Sequence, residues 1–179
     1  LKDMIVGENH VGWVGVGGGI GLWSSSSVME NILVKGNSSA GGGGIYAYGS
    51  DPIIKNVTAI NNLTFGGLDA GGGGMAFQSS TPYLFRVNIS GNSSGVHGGG
   101  ITFQQCENAF LQNVTVSNNT GGTGEEGSLY LFQTDLSITN SIIWNDSNTV
   151  EILFHDVNNW GSVSISYSDI QGGMDAIET

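Results

Sequence analysis

The sequence predicts an all-β chain wound as a parallel β-helix of about six to seven coils, and three series of residues carry that prediction. A glycine-rich step leads into an apolar residue at Ile20, Ile45, Met75, Ile101 and Leu129, and Ile152 continues the series without the glycines. The intervals are 25, 30, 26, 28 and 23 residues. Eleven or twelve residues downstream lies a second series, Asn31, Asn56, Arg86, Asn113 and Asn140. Six residues further on is a third, Asn37, Asn62, Asn92 and Asn119, with Asp146 in the fifth place.

Each coil opens with a short strand. The residues two beyond the first series are Leu22, Ala47, Phe77, Phe103, Leu131 and Phe154, so alternate side chains are apolar and one face points inward. After the second series comes another inward pair in every coil: Ile32 and Val34, Val57 and Ala59, Val87 and Ile89, Val114 and Val116, Ser141 and Ile143. Residues 1–9 read as the end of an earlier coil, with Met4 and Val6 inward and Asn9 in the third-series place, and the first full coil begins near Gly17. The connections from the third series to the next strand vary, at 8, 13, 9 and 10 residues, so insertions collect on one edge, where solenoids often carry binding loops.

The period alone would also suit leucine-rich repeats, but their leucine consensus is absent and no stretch has helical periodicity. With no helix to cover a sheet, winding the strands into a parallel helix is what buries one face of each and pairs the edges. Asparagine suits the corners because it tolerates left-handed backbone, and stacked copies can link their amides from coil to coil. At about 4.8 Å between strands the rod is roughly 30 Å long. Its ends are expected to be covered by neighbouring parts of a longer solenoid, another domain or a second copy. Residues 1–179 read as one domain, a fragment of that longer solenoid.

Composition narrows the function. Fifteen acids against Lys2, Lys35, Lys55 and Arg86 give a net charge of −11, which argues against nucleic acid. No apolar run approaches the roughly 18 residues of a membrane span, and Leu1 to Ile5 do not read as a signal peptide. The single Cys106 has no partner for an internal disulfide and reads as a stray thiol beyond the inward Phe103.

The Gly-Gly-Gly-Ile steps, and the apolar-x-x-Asn steps of Val28 to Asn31, Ile53 to Asn56 and Phe110 to Asn113, resemble the repeats of polymorphic outer membrane proteins and of bacterial secreted right-handed β-helix proteins. The run from Asn140 to Asn145, with that from Ser166 to Gly173, is similar to the last coils of the latter group. Arg86 and the Glu126-Gly127-Ser128 step depart from the consensus. The resemblance implies a right-handed β-helix, secreted or on a cell surface. Its members include adhesins, surface proteins and polysaccharide-degrading enzymes, so it does not select among those functions.

Candidate chemistry concentrates on two edges. A glycoside hydrolase or a lyase would need acids or an Arg-acid pair within one cleft, and Asp69, His97 and Glu125 on the variable edge are the residues to consider. Adjacent Glu125 and Glu126 would point oppositely on a strand, a loop histidine alone is weak evidence, and Arg86 reads as a substitute for a turn asparagine. Calcium is the one cofactor left open, through Asp69, Glu125, Glu126 and loop carbonyls, although no calcium-loop pattern is present.

The outward side of the first strands is richer. Trp23, Tyr48, Gln78, Gln104, Phe132 and His155 lie three beyond the first series, and Tyr46, Thr102 and Tyr130 lie one beyond. Stacked, they form two neighbouring ladders of aromatics and amides suited to sugar rings and hydroxyls. The plainer alternatives are cover by another domain or simple β-propensity. Eight Asn-x-Ser/Thr triplets, beginning at Asn37, Asn56, Asn62, Asn88, Asn92, Asn113, Asn118 and Asn145, follow from the repeat composition. The expectation is therefore a non-catalytic stalk, adhesin or glycan-contacting module, with a polysaccharide-degrading enzyme and a self-assembling fibre subunit as alternatives.

Overall fold

A computed structural model describes residues 1–66, 71–122, 127–145, 150–155 and 161–178. Within them every registered strand pair is parallel, and each strand stacks on its counterpart in the next coil. The first sheet has seven strands, Ile20–Trp23, Ile45–Tyr48, Met75–Gln78, Ile101–Gln104, Leu129–Phe132, Ile152–His155 and Ile177–Glu178, in chain order. Ile20 pairs in register with Ile45, Ile45 with Met75, Met75 with Ile101, Ile101 with Leu129 and Leu129 with Ile152. The first sequence series is thus one straight ladder.

The second sheet has eleven strands because most coils cross it in two steps separated by a bend. Val28–Lys35 and Ile53–Ile60 run through the bend as single strands, whereas Tyr83–Phe85 and Asn88–Ser90 flank it. The bend residues are the second series: Asn31, Asn56, Arg86, Asn113 and Asn140 hold φ of 56, 50, 55, 55 and 47°, and Tyr167 extends the line at 50°. Left-handed backbone explains the asparagines, and it also identifies Arg86 as a corner residue, with its guanidinium 4.8 Å from the centroid of the Phe85 ring. A short third sheet, Ser38–Ser39, Leu63–Thr64 and Ser93–Ser94, closes the coil.

The interior is a single apolar column. Phe77 and Phe103 stack at 5.4 Å with 20° between ring planes, and Ala47 precedes them in the same ladder, leaving space beside the large rings. Burying each phenylalanine contributes about 2–3 kcal/mol. Met4 departs from its expected inward place: it is 38% exposed, while Val6 does pack on the core. The glycine runs are steric. Gly42 has φ of 60°, and a Cβ on Gly43 would sit 2.6 Å from the Gly73 carbonyl oxygen of the next coil.

The third series forms a buried amide ladder at the corner before the third sheet. Asn9, Asn37, Asn62, Asn92 and Asn119 each send both their backbone N–H and their Nδ2 to the Oδ1 of the next asparagine, at 2.7–3.2 Å. From Asn37 onward each Nδ2 also donates to a carbonyl of the preceding coil, such as Val34 and Ala59. The fifth place was expected at Asp146, but the ladder uses Asn145. Gly36, Asn61, Gly91 and Asn118 supply a left-handed residue just before Asn37, Asn62, Asn92 and Asn119, whereas the fifth full coil passes from Trp144 directly to Asn145. Asp146 lies outside the described residues. The ladder ends on Glu151, whose carboxylate accepts from the Asn145 N–H at 3.0 Å, Asn145 Nδ2 at 2.6 Å and Ser128 Oγ at 3.2 Å.

Cys106 is likewise a ladder member rather than a stray thiol. Ser25, Ser50, Ser80, Cys106 and Thr134 all lie five beyond the first series, and backbone N–H groups of Ser25, Ser50 and Cys106 donate to Ser50 Oγ, Ser80 Oγ and Thr134 Oγ1 of the following coil. Cys106 is fully buried, and that burial pushes its thiol up to about 12. Among the described residues no helix is long and apolar enough to cross a membrane, which does not bear on β-barrels.

Candidate functional site

The outward side of the first sheet splits into two unlike ladders. Trp23 and Tyr48 are 55% and 44% exposed, His155 is exposed, and Gln78, Gln104 and Phe132 are half-buried. The neighbouring ladder, expected like the first to offer aromatics and amides to sugars, is outward yet covered: Tyr46 and Tyr130 are each 6% exposed and Thr102 1%. The cover comes from a neighbouring strand residue and from the variable edge folding back. Trp23 lies 5.8 Å from the Tyr46 ring, Val16 packs on Tyr46 and Ala76, and the His97 ring stacks on Tyr130 at 4.2 Å with 15° between planes.

Cover fixes polarity as well as position. Tyr46 donates its phenol to Gln78 Oε1 at 2.8 Å, and burial, with the Tyr48 phenol beside it, holds the Tyr46 phenol above its ordinary value. Tyr46 therefore stays neutral and a donor. Gln78 is anchored through its oxygen, and its amide nitrogen is not engaged by that bond.

Gln78, His97, Gln104, Gln105, Tyr130 and Phe132 surround one open hollow of about 300 Å³. A second hollow of about 390 Å³, lined by Ser79, Ser80, Thr81, Gln105 and Glu107, shares Gln105 with it. Phe132 meets the His155 ring at 5.8 Å, edge to face, and carries the aromatic surface one coil further. The hollow thus gathers four of the expected contact residues, Gln78, Gln104, Tyr130 and Phe132, and adds His97, which the sequence had suggested only for catalysis. Trp23, Tyr48 and His155 lie on the same sheet but do not line it.

Gln105 was missed. It holds the left-handed position after the first strand, with φ of 53°, as do Ser24, Gly49, Ser79 and Gln133 in other coils. That turn swings its side chain beside the groove, where Nε2 reaches Gln133 Oε1 at 3.5 Å. Its place in the repeat was readable, one residue beyond Gln104, but the reach of its side chain was not.

Asp69, Glu125 and Glu126 lie outside the described residues. Among the described residues no group of three or more His, Cys, Asp or Glu is placed to hold a metal ion. Among the described residues, none lining the first hollow is a carboxylate, and Glu107 is the one acid lining the second. The sequon asparagines also divide: Asn37, Asn62, Asn92 and Asn145 are locked in the buried ladder, whereas Asn56, Asn113 and Asn118 are exposed.

A family model described as a right handed beta helix region matches residues 18–178. No curated protein and no solved structure matches the chain.

Proposed function

The chain belongs to the right handed beta helix family, and on that premise we propose that it is a non-catalytic module of a secreted or cell-surface bacterial protein that contacts carbohydrate along its first sheet. The observation that carries the reading is the convergence of amides and aromatic rings on one hollow: Gln78, Gln104 and Gln105 with Tyr130, Phe132 and His97. Amides offer donor and acceptor together, as sugar hydroxyls require, and ring edges and faces suit the apolar side of a pyranose. Parallel coils hold these groups on a rigid lattice, so contact costs little side-chain ordering.

A depolymerising enzyme is the second reading, favoured by the placement of His97 inside the same hollow. A single experiment separates the two. The purified chain is screened on a glycan array and, in parallel, incubated with polysaccharides in calcium and in chelator while reducing ends and unsaturated products are followed. Binding without turnover, weakened about tenfold by Gln105→Ala, supports the contact module. New chain ends, lost in His97→Ala, support the enzyme.

A further inference from the structure

The chemical class of the ligand follows from where the charges lie, an inference that rests on the carbohydrate reading above. All four basic residues, Lys2, Lys35, Lys55 and Arg86, fall at or before residue 86, with five of the fifteen acids. Residues 87–179 carry the other ten acids and no Lys or Arg. The basic residues also share one side of the coil. Lys2, Lys35 and Lys55 lie on second-sheet strands and Arg86 at that sheet's bend, whereas the hollow is built on the outward side of the first sheet and its flanking turn. Lys2 is further engaged with Glu30 at 3.4 Å.

The groove therefore meets its ligand with no lysine or arginine. Among the described residues its linings hold amides, hydroxyls, aromatic rings and His97, and the acid among them is Glu107, which lines the hollow that adjoins the first at Gln105. A uronate or sulfated sugar would have to give up water without a lysine or arginine to replace it, beside a carboxylate and within an acidic half of the chain. An uncharged sugar makes no such demand. Its hydroxyls can be served by the anchored Gln78 amide, by Gln105 and by the Ser79 to Thr81 segment.

We infer that the groove of Gln78, Gln105, Tyr130 and Phe132 takes a segment of a neutral polysaccharide and discriminates against acidic ones, through the separation of the chain's basic residues from this face.

The test titrates the whole chain with three oligosaccharide sets: neutral hexose and pentose oligomers, uronate oligomers, and glucosamine oligomers, each at low salt and at about 0.5 M salt, with calcium or chelator. Binding to a neutral series should change less than about twofold with salt, because no ion pair is made. Gln105→Ala should weaken it about tenfold. Gln105→Lys should raise affinity for uronates relative to neutral oligomers, since it supplies the missing cation. Preference for uronates in the unaltered chain, with or without calcium, would overturn the inference. So would a preference for glucosamine oligomers that Glu107→Gln abolishes. Either result keeps the carbohydrate reading, whereas absence of binding to all three sets removes that reading itself.

Discussion

Two series of asparagines run the length of this rod at the same period and do opposite work. The buried ladder of Asn37, Asn62, Asn92, Asn119 and Asn145 is kept for its side chains, because each Oδ1 accepts both the backbone N–H and the Nδ2 of the preceding asparagine. The exposed series of Asn31, Asn56, Asn113 and Asn140 is kept for its backbone, because the bend needs positive φ. The second series admits Arg86 and Tyr167 at the same φ, and its side-chain links, such as Asn56 Nδ2 to Asn31 Oδ1 at 3.2 Å, are solvent-exposed. The buried ladder is not interrupted from Asn9 to Asn145, and it ends on a carboxylate. A polar group inside an apolar column must have all its donors received, whereas a turn residue has only to fit a torsion angle. Residue type alone therefore does not reveal which requirement a repeated asparagine meets.

The sharpest way to break the comparison is Asn92→Leu. It removes the acceptor for two Asn62 donors and the Nδ2 donor to the Ala59 carbonyl, so chemical denaturation should show a loss of about 3 kcal/mol or more. A loss below about 1 kcal/mol would mean that the ladder relaxes and is not a fixed element. Glu151→Gln tests the terminus. Its amide keeps one acceptor for Asn145 and turns a donor toward the other, for an expected cost of about 2 kcal/mol.

Cys106 gives the hydroxyl ladder a pH signature. The folded thiol titrates near 12 and the unfolded one nearer its ordinary value of 9.0, so protons bind more tightly to the folded state. The associated stability is fully present below pH 9 and falls by about 1.4 kcal/mol per pH unit between there and about pH 12. Cys106→Ser, which matches Ser80 and supplies no thiol, should flatten that part of the denaturation-against-pH profile. An unchanged slope in the serine variant would assign the alkaline loss elsewhere.

The smallest effects belong to the exposed series. Asn113→Ala should cost about 1 kcal/mol through strain at φ of 55°, and Asn113→Gly should fall within about half a kcal/mol of the parent. If the alanine variant lost as much as Asn92→Leu, the two series would not differ in the way proposed.

Much of the fold was legible because the inward residues are apolar at a fixed phase: Ile45, Met75 and Ile101 stand in register as their spacing required. The site was legible only in part. Gln78, Gln104 and Phe132 stand outward and half-open, as alternation on a strand dictates. Tyr46 and Tyr130 obey the same alternation and are nonetheless buried, because cover by Val16 and His97 comes from connections that vary in length from coil to coil, with Trp23 of the neighbouring strand leaning on Tyr46. Asn145 was displaced by one residue from the expected ladder place because the fifth full coil omits a left-handed step. Glu151 had no signal in the repeat at all.

Sequence by itself determined the winding, the inward column and the asparagine corners, since these answer to local rules of alternation, torsion and period that repeat in every coil. Tertiary structure alone decided which outward residues meet solvent, which donor each buried amide serves and that Gln105 and His97 share a groove with Gln78 and Phe132. Those outcomes depend on how far each connecting loop folds across its neighbours, and loop reach is set by contacts between coils that no local pattern encodes.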